Sequence, residues 1–251
     1  MNDAPDEQVY GSTNPKTRVI WDTVAKMEHS VPHLLSHWPC YVPRINVIRF
    51  LAHYELFRLV QDMPGDVVEL GVCRGVSFFS WCKFLEILCP TDTSRKVIGF
   101  DSFEGLQDFD DADGDGSTTD DKRVGGWWAP ADEVRLLNEL HNADNVVARQ
   151  RGILVKGRVQ ESIKPFLAAR PGMRISLLHF DLDLHEPTLY ALQMLYDLVL
   201  PGGIVVFDEY ALPPWSGETQ AWDEFAASHG IRSRMQKIPW TLTPNAFFVK
   251  E

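Results

Sequence analysis

Two apolar runs that each end in acids constrain this chain most. Ile175-Ser176-Leu177-Leu178-His179-Phe180 runs into Asp181-Leu182-Asp183, and Gly203-Ile204-Val205-Val206-Phe207 runs into Asp208-Glu209. A strand buried on both faces reads as a near-continuous apolar run, the mark of a parallel sheet. Open α/β sheets take their ligands beyond the carboxyl ends of the strands, where these acids fall. Three or four carboxylates brought to one point repel one another unless a cation or protons lie between them. Hard divalent ions such as magnesium favour oxygen ligands of this kind. The pattern points to a metal-assisted enzyme of α/β class.

The rest of the chain supports that class. Apolar spacing from Val47 through Val60 predicts a helix that Pro64-Gly65 ends. Strands are expected over residues 66–70, 96–100, 153–156, 175–180 and 203–207, alternating with helices over 75–88, 132–141, 162–169, 187–198 and 218–228. Residues 232–238 and 245–250 read as a closing hairpin, which makes one strand antiparallel. Such a hairpin separates methyltransferase-type sheets from nicotinamide dinucleotide folds. Residues 1–45 have little periodicity and read as an N-terminal arm with one short helix near 18–27; residues 46–251 form the main domain.

Bulk properties exclude several partners. A net charge of −11 argues against nucleic acid or an anionic membrane. The polar first thirty residues lack the apolar centre of a signal peptide, and no run reaches membrane-spanning length. Cys40, Cys73, Cys82 and Cys89 have no CxxC spacing, so reduced thiols and a cytoplasmic location are expected.

The turn Glu69-Leu70-Gly71-Val72-Cys73-Arg74-Gly75 follows the first core strand. It has neither the dinucleotide GxGxxG nor the P-loop pattern. Gly71, Val72 and Gly75 would let backbone approach a ligand closely. Glu69 could accept hydrogen bonds from an ammonium group, but would serve a pyrophosphate poorly. A zwitterion joined to a nucleoside, such as S-adenosylmethionine, suits the turn. Asp101, with Ser102 beside it, ends the second strand, where an acid can accept both ribose hydroxyls. Asp101 could equally cap a turn. Gln160 could reach an adenine edge, while Ser162 could simply cap a helix.

Four segments together carry a family resemblance: Pro64-Gly65-Asp66-Val67-Val68-Glu69-Leu70-Gly71-Val72; Gly99-Phe100-Asp101-Ser102-Phe103-Glu104-Gly105-Leu106; Asp181-Leu182-Asp183-Leu184-His185-Glu186-Pro187-Thr188; and Pro201-Gly202-Gly203 through Asp208-Glu209-Tyr210. From about Ile48 onward the chain resembles the macrocin, mycinamicin and novobiocin sugar O-methyltransferases, a magnesium-dependent group that uses S-adenosylmethionine. The resemblance implies a class I methyltransferase (Rossmann-like) sheet. It also implies Asp181, Asp208 and Glu209 as ligands of Mg2+, Asp183 as general base, and Asp181 beside the cofactor as well. Glu209 stands where the family usually has Asp, and His185 where Tyr is common. The arm matches less well; in the family such regions cover the active site and form dimers, so a homodimer or higher homo-oligomer is expected.

The expected reaction is methylation of a sugar hydroxyl, on a deoxyhexose of a natural product or a nucleotide sugar. A vicinal diol would chelate the metal, Asp183 would take the proton, and the Trp127-Trp128 loop would close over the site. A catechol-like phenol would bind in the same way. A non-catalytic cofactor-binding module and a metal-dependent hydrolase are further readings; Glu209 favours the module, and the Glu69–Gly75 turn opposes the hydrolase. Asp111-Ala112-Asp113-Gly114-Asp115-Gly116 copies the opening of an EF-hand loop, but its twelfth position is Lys122 where Glu is required, so the acidic loop reads as solvated. His53 and His179 read as structural. Pro32 and Pro39 weaken a helix that would align His29, His33 and His37.

Overall fold

The computed structural model describes residues 14–107, 109–114 and 122–251. The chain divides into two compact units, Met1–Leu51 and Ala52–Glu251.

In the first unit lie α1 (Pro15–Val24), α2 (Val31–Ser36), α3 (Trp38–Tyr41) and the start of α4 (Arg44–Leu59). Pro32 and Pro39 sit in the first turns of α2 and α3, where the missing N–H costs nothing, and the chain breaks at His37 between them, so no single helix carries His29, His33 and His37. Asn14 and Ser30 cap α1 and α2 through their side chains. The imidazole rings of His29, His33 and His37 stack in sequence, with centroids 4.4 and 4.5 Å apart.

The second unit carries β1 (Asp66–Leu70), α5 (Val76–Leu88), β2 (Val97–Asp101), α6 (Ala131–Ala143), β3 (Gly152–Lys156), α7 (Val159–Ala168), β4 (Ile175–Phe180), α8 (His185–Leu195), β5 (Val199–Phe207), α9 (Gly217–His229) and β6 (Ala246–Val249). The sheet runs β3-β2-β1-β4-β5-β6. All its pairings are parallel except that of β6 with β5. The expected strand over 232–238 is absent. Only Gln236 bridges to Phe247. That segment, Arg-Ser-Arg-Met-Gln-Lys before Ile238, has too few apolar residues to give an outer strand a buried face.

Register places the site. Leu70 pairs with both Phe100 and Phe180, and Phe180 pairs with Phe207. The next residues therefore leave the sheet at one level. Gly71 N–H donates to the Phe100 carbonyl at 2.9 Å, Asp181 N–H to Leu70 at 2.8 Å and Asp208 N–H to Phe180 at 2.9 Å. The chain reverses its direction of winding between β1 and β4, the switch point at which open α/β sheets bind ligands. β4 is buried at all six positions, and Phe180 stacks on Phe207 with centroids 5.1 Å apart.

Gly71 is required at this crossing. Its φ is +89°, and a Cβ there would lie 1.7 Å from the Asp181 carbonyl oxygen. Gly71→Ala is expected to destabilise the chain by at least about 2 kcal/mol, since strain and a backbone clash act together. Urea unfolding would measure this, and a loss below about 0.5 kcal/mol would refute the close approach.

Candidate active site

Asp181, Asp183 and Glu209 come together just beyond the ends of β4 and β5. Each offers one carboxylate oxygen, and these oxygens lie within 4.8 Å of one another. Asp183 and Glu209 are buried, while Asp181 stays partly open. Burial pushes the Glu209 carboxyl well above its usual range, and Asp208, Asp183, Glu218 and Asp181 push it further. A divalent cation relieves the same repulsion, and an all-oxygen set suits magnesium. The donor set therefore fits such an ion.

The structure divides the acids differently from the expected scheme. Asp183, expected to stand apart as base, joins Asp181 and Glu209. Asp208, expected among the ligands, turns Oδ1 toward His179 Nε2 at 3.5 Å and groups with His53 and His179. The cause lies in strand parity. Glu69 and His179 are register partners on β1 and β4, so their side chains share one face. His179 Nδ1 lies 3.4 Å from Glu69 Oε2, and all three groups are buried. Burial opposes a charge on His179, but the Asp208 and Glu69 carboxyl groups on either side of its ring overcome it and push its pKa up to about 10.

Glu69 is accordingly not presented to a ligand. Ser77 Oγ donates to its Oε1 at 2.9 Å and Trp81 Nε1 to its Oε2 at 2.7 Å, so helix α5 and His179 use both oxygens. The rest of the turn is more open. Gly71, Cys73, Arg74, Asp101, Ser102, Gln160 and Asp181 are all partly exposed. Val72 is buried under the turn, and Gly75 forms the N-cap of α5. Asp101 does cap the turn: Oδ2 accepts from Cys73 N at 2.6 Å and Oδ1 from Phe103 N at 2.5 Å. Ser102 Oγ accepts from Glu104 N at 3.1 Å. Gln160 lies in the first turn of α7 and donates to Glu186. Ser162 does not cap that helix; its hydroxyl donates to the Arg158 carbonyl at 2.8 Å, since the helix begins at Val159. The open backbone between Gly71 and Ser102, with the Asp181 carboxylate beside it, fits a cofactor laid across the strand ends.

Backbone strain marks the same edge. Among the described residues, the non-glycine residues with positive φ are Cys73, Phe103, Trp127, Asp183 and Ala211. They lie in loops that follow β1, β2, β4 and β5, and such strain gathers at functional sites. Trp127 is tied to the turn through its carbonyl, which accepts from Cys73 Sγ at 3.3 Å, and the Arg74 guanidinium lies 5.9 Å from the Trp128 ring centre.

The described part of the acidic loop is not simply solvated. Asp113 is fully buried, accepting from Asp110 N at 2.8 Å and from His185 N at 2.6 Å. Lys122 donates to the carbonyls of Asp113 and Pro214. Asp115 and Gly116 of the EF-hand pattern lie outside the described residues. His185 bridges Asp110 at 2.9 Å and Glu224 at 3.1 Å, and so ties this loop to α9. All four cysteines are free thiols.

Sequence reasoning missed Glu218. It is fully buried in the first turn of α9, where Leu182 N–H donates to Oε1 and Glu209 N–H to Oε2, each at 3.1 Å. Burial raises its pKa to about 8 against the lowering effect of those bonds, and Asp183 and Asp208 raise it further. The signal available was slight: an acid at a helix N-terminus is ordinary on dipole grounds.

A mostly parallel sheet with one antiparallel edge strand, and acids gathered past β4 and β5, defines a class I methyltransferase fold. Residues 54–247 match the family model described as macrocin-O-methyltransferase (TylF), and the chain belongs to that O-methyltransferase family. The 8-demethyl-8-(2,3-dimethoxy-alpha-L-rhamnosyl)-tetracenomycin-C 4'-O-methyltransferase of Streptomyces olivaceus is 30% identical over 73% of this chain and 66% of its own length. The chain thus spans just under two thirds of that relative. The crystal structure of CalS11, calicheamicin methyltransferase, superposes with a TM-score of 0.86 at 26% identity, over 99% of both chains. An apo structure of CalS11, described as a TDP-rhamnose 3'-O-methyltransferase, gives 0.76 at 25% identity over 99% of this chain and 96% of its own. Among the described residues, no helix is long and apolar enough to cross a membrane.

The raised pKa of His179 generates a prediction. Replacing His179 by Phe leaves Glu69 and Asp208 buried without their cation, and is expected to cost about 3–5 kcal/mol in urea unfolding at pH 7. Because the folded pKa is raised from 6.5 to about 10, this contribution is complete below pH 6.5 and is lost as pH rises through about 10. A Phe variant as stable as the parent chain would refute it.

Proposed function

We propose that this chain transfers the methyl group of S-adenosylmethionine to a hydroxyl of a rhamnose-like deoxyhexose, with the help of Mg2+. The convergence of Asp181, Asp183 and Glu209 at the switch point, beside an open glycine turn, carries this reading. The acceptor class is supported by the names of the relatives, one of which refers to a rhamnosyl tetracenomycin and another to TDP-rhamnose.

The cofactor, when bound, supplies an electrophilic methyl on a sulfonium, and the divalent ion lowers the cost of negative charge on the reacting oxygen. Asp181 and Glu209 would hold the ion. Asp208 would serve it through the carboxylate oxygen that does not face His179. Gly71, Val72, Gly75, Asp101, Ser102 and Gln160 border the space for the cofactor, with Asp181 between it and the ion. Glu69 acts from below, fixing α5 and His179 without touching the ligand.

Asp183 is the general base. Its carboxylate takes the acceptor's proton as the new O–C bond forms and the S–C bond breaks, with the sulfide as leaving group. Its loop conformation, with φ of +64°, aims the side chain into the cluster, so the base is placed before the acceptor arrives. Burial of Asp183 and Glu209 excludes water from the proton transfer.

Asp183→Asn is expected to lower kcat about 10²–10⁴-fold, the usual yield of a positioned base, with S-adenosylmethionine affinity by calorimetry changed less than about twofold. Full kcat in that variant would remove the base assignment, and absence of cofactor binding by the parent chain would overturn the whole reading. With TDP-rhamnose or a rhamnosylated aglycone and labelled methyl donor, label should appear in the sugar. EDTA should abolish transfer and Mg2+ restore it; transfer that survives EDTA would sink the metal role.

A further inference from the structure

Glu218 joins the two acid-bearing strand ends, although it belongs to neither. Its Oε1 accepts from the N–H of Leu182, the residue between Asp181 and Asp183. Its Oε2 accepts from the N–H of Glu209, the residue after Asp208. One carboxylate therefore spans from the β4 loop to the β5 loop. Two backbone donors on separate strands require two acceptor oxygens at a fixed spacing, and among side chains only a carboxylate supplies that pair. The preceding glycine, Gly217, packs tightly against the same loop. A Cβ on Gly217 would lie 2.5 Å from the Asp183 carbonyl oxygen and 2.6 Å from His185 N, so the first turn of α9 rests directly on the Asp183 loop.

We propose that Glu218 is a positioning residue that sets the separation between the Asp181–Asp183 loop and Asp208-Glu209, and through it the affinity of the site for a divalent ion. It touches no ligand itself, because both its oxygens are engaged by backbone. The proposal rests on the metal reading given above. Residues that orient metal ligands from behind typically change metal affinity about 10–100-fold when replaced.

Two substitutions separate spacing from the carboxyl group itself. Glu218→Gln keeps the length but turns an amide N–H₂ toward one backbone N–H. Glu218→Asp keeps a carboxyl group but is one methylene too short to reach both loops. Mn2+ is the probe, titrated by calorimetry and by water-proton relaxation, with S-adenosylmethionine affinity measured without metal as the control. Both variants are expected to bind Mn2+ at least about tenfold more weakly, with cofactor affinity changed less than about twofold. Unchanged Mn2+ affinity in a folded Gln variant would overturn the proposal. So would an Asp variant that binds Mn2+ like the parent chain, since a carboxyl group of any length would then account for the effect. If the Gln variant fails to fold, the Asp variant decides alone. A parent chain that takes up no Mn2+ would overturn the metal reading and this proposal with it, whereas normal uptake with unaffected variants would overturn only the role of Glu218.

Discussion

An imidazole held between two buried carboxyl groups underlies the active end of this sheet. Glu69, His179 and Asp208 belong to β1, β4 and the end of β5, three adjacent strands. A buried carboxylate without a partner costs several kcal/mol, and here two of them flank one ring whose pKa they push up to about 10. Ser77 and Trp81 complete the bonding of Glu69, so helix α5 is drawn into the same network. Asp208 is thereby fixed from below before any ligand is considered. The cluster of Asp181, Asp183 and Glu209 is built on strand ends whose relative level this network and the strand register hold in place.

Much of this was legible in the residues. The apolar runs before Asp181 and Asp208 are long enough and unbroken enough to read as buried parallel strands, and their acids could only fall at the carboxyl edge. The glycine turn after β1 was legible for a related reason: no side chain fits where Gly71 meets the end of β4. The direction of each carboxylate was not legible. Whether Asp208 faces the ligand space or His179 depends on a partner one strand away, and that choice is settled by register, which local pattern does not encode. Glu69 was read as a ligand contact for the same reason: its parity, not its composition, turns it toward α5.

Other failures share a cause. Asp113 was read as solvated because it lies in an acidic stretch, yet it satisfies the backbone of Asp110 and His185. Acids that replace missing backbone partners look the same in sequence as acids that face water. Glu218 belongs to this class. Asp101 braces its turn in the same way, as one of its two open readings had it. In all three the carboxylate acts as a brace between loops. The loops it braces carry strained residues, and strain of about 1–3 kcal/mol at each such residue persists only where the surroundings over-determine it.

The glutamate at position 209 is best understood from this bracing. Its backbone N–H is held by Glu218, so the main chain cannot shift to bring a side chain closer to Asp181 and Asp183. Its carboxylate nevertheless lies within 4.8 Å of theirs. A shorter aspartate at the same fixed backbone would carry its charge one methylene further from that meeting point. The longer residue is thus consistent with a loop set by an outside brace, and its length compensates for the position that the brace imposes. Burial and four neighbouring acids hold the Glu209 carboxyl well above its ordinary range. An ion bound there competes with protons for the same oxygens, so its affinity is expected to fall as pH falls.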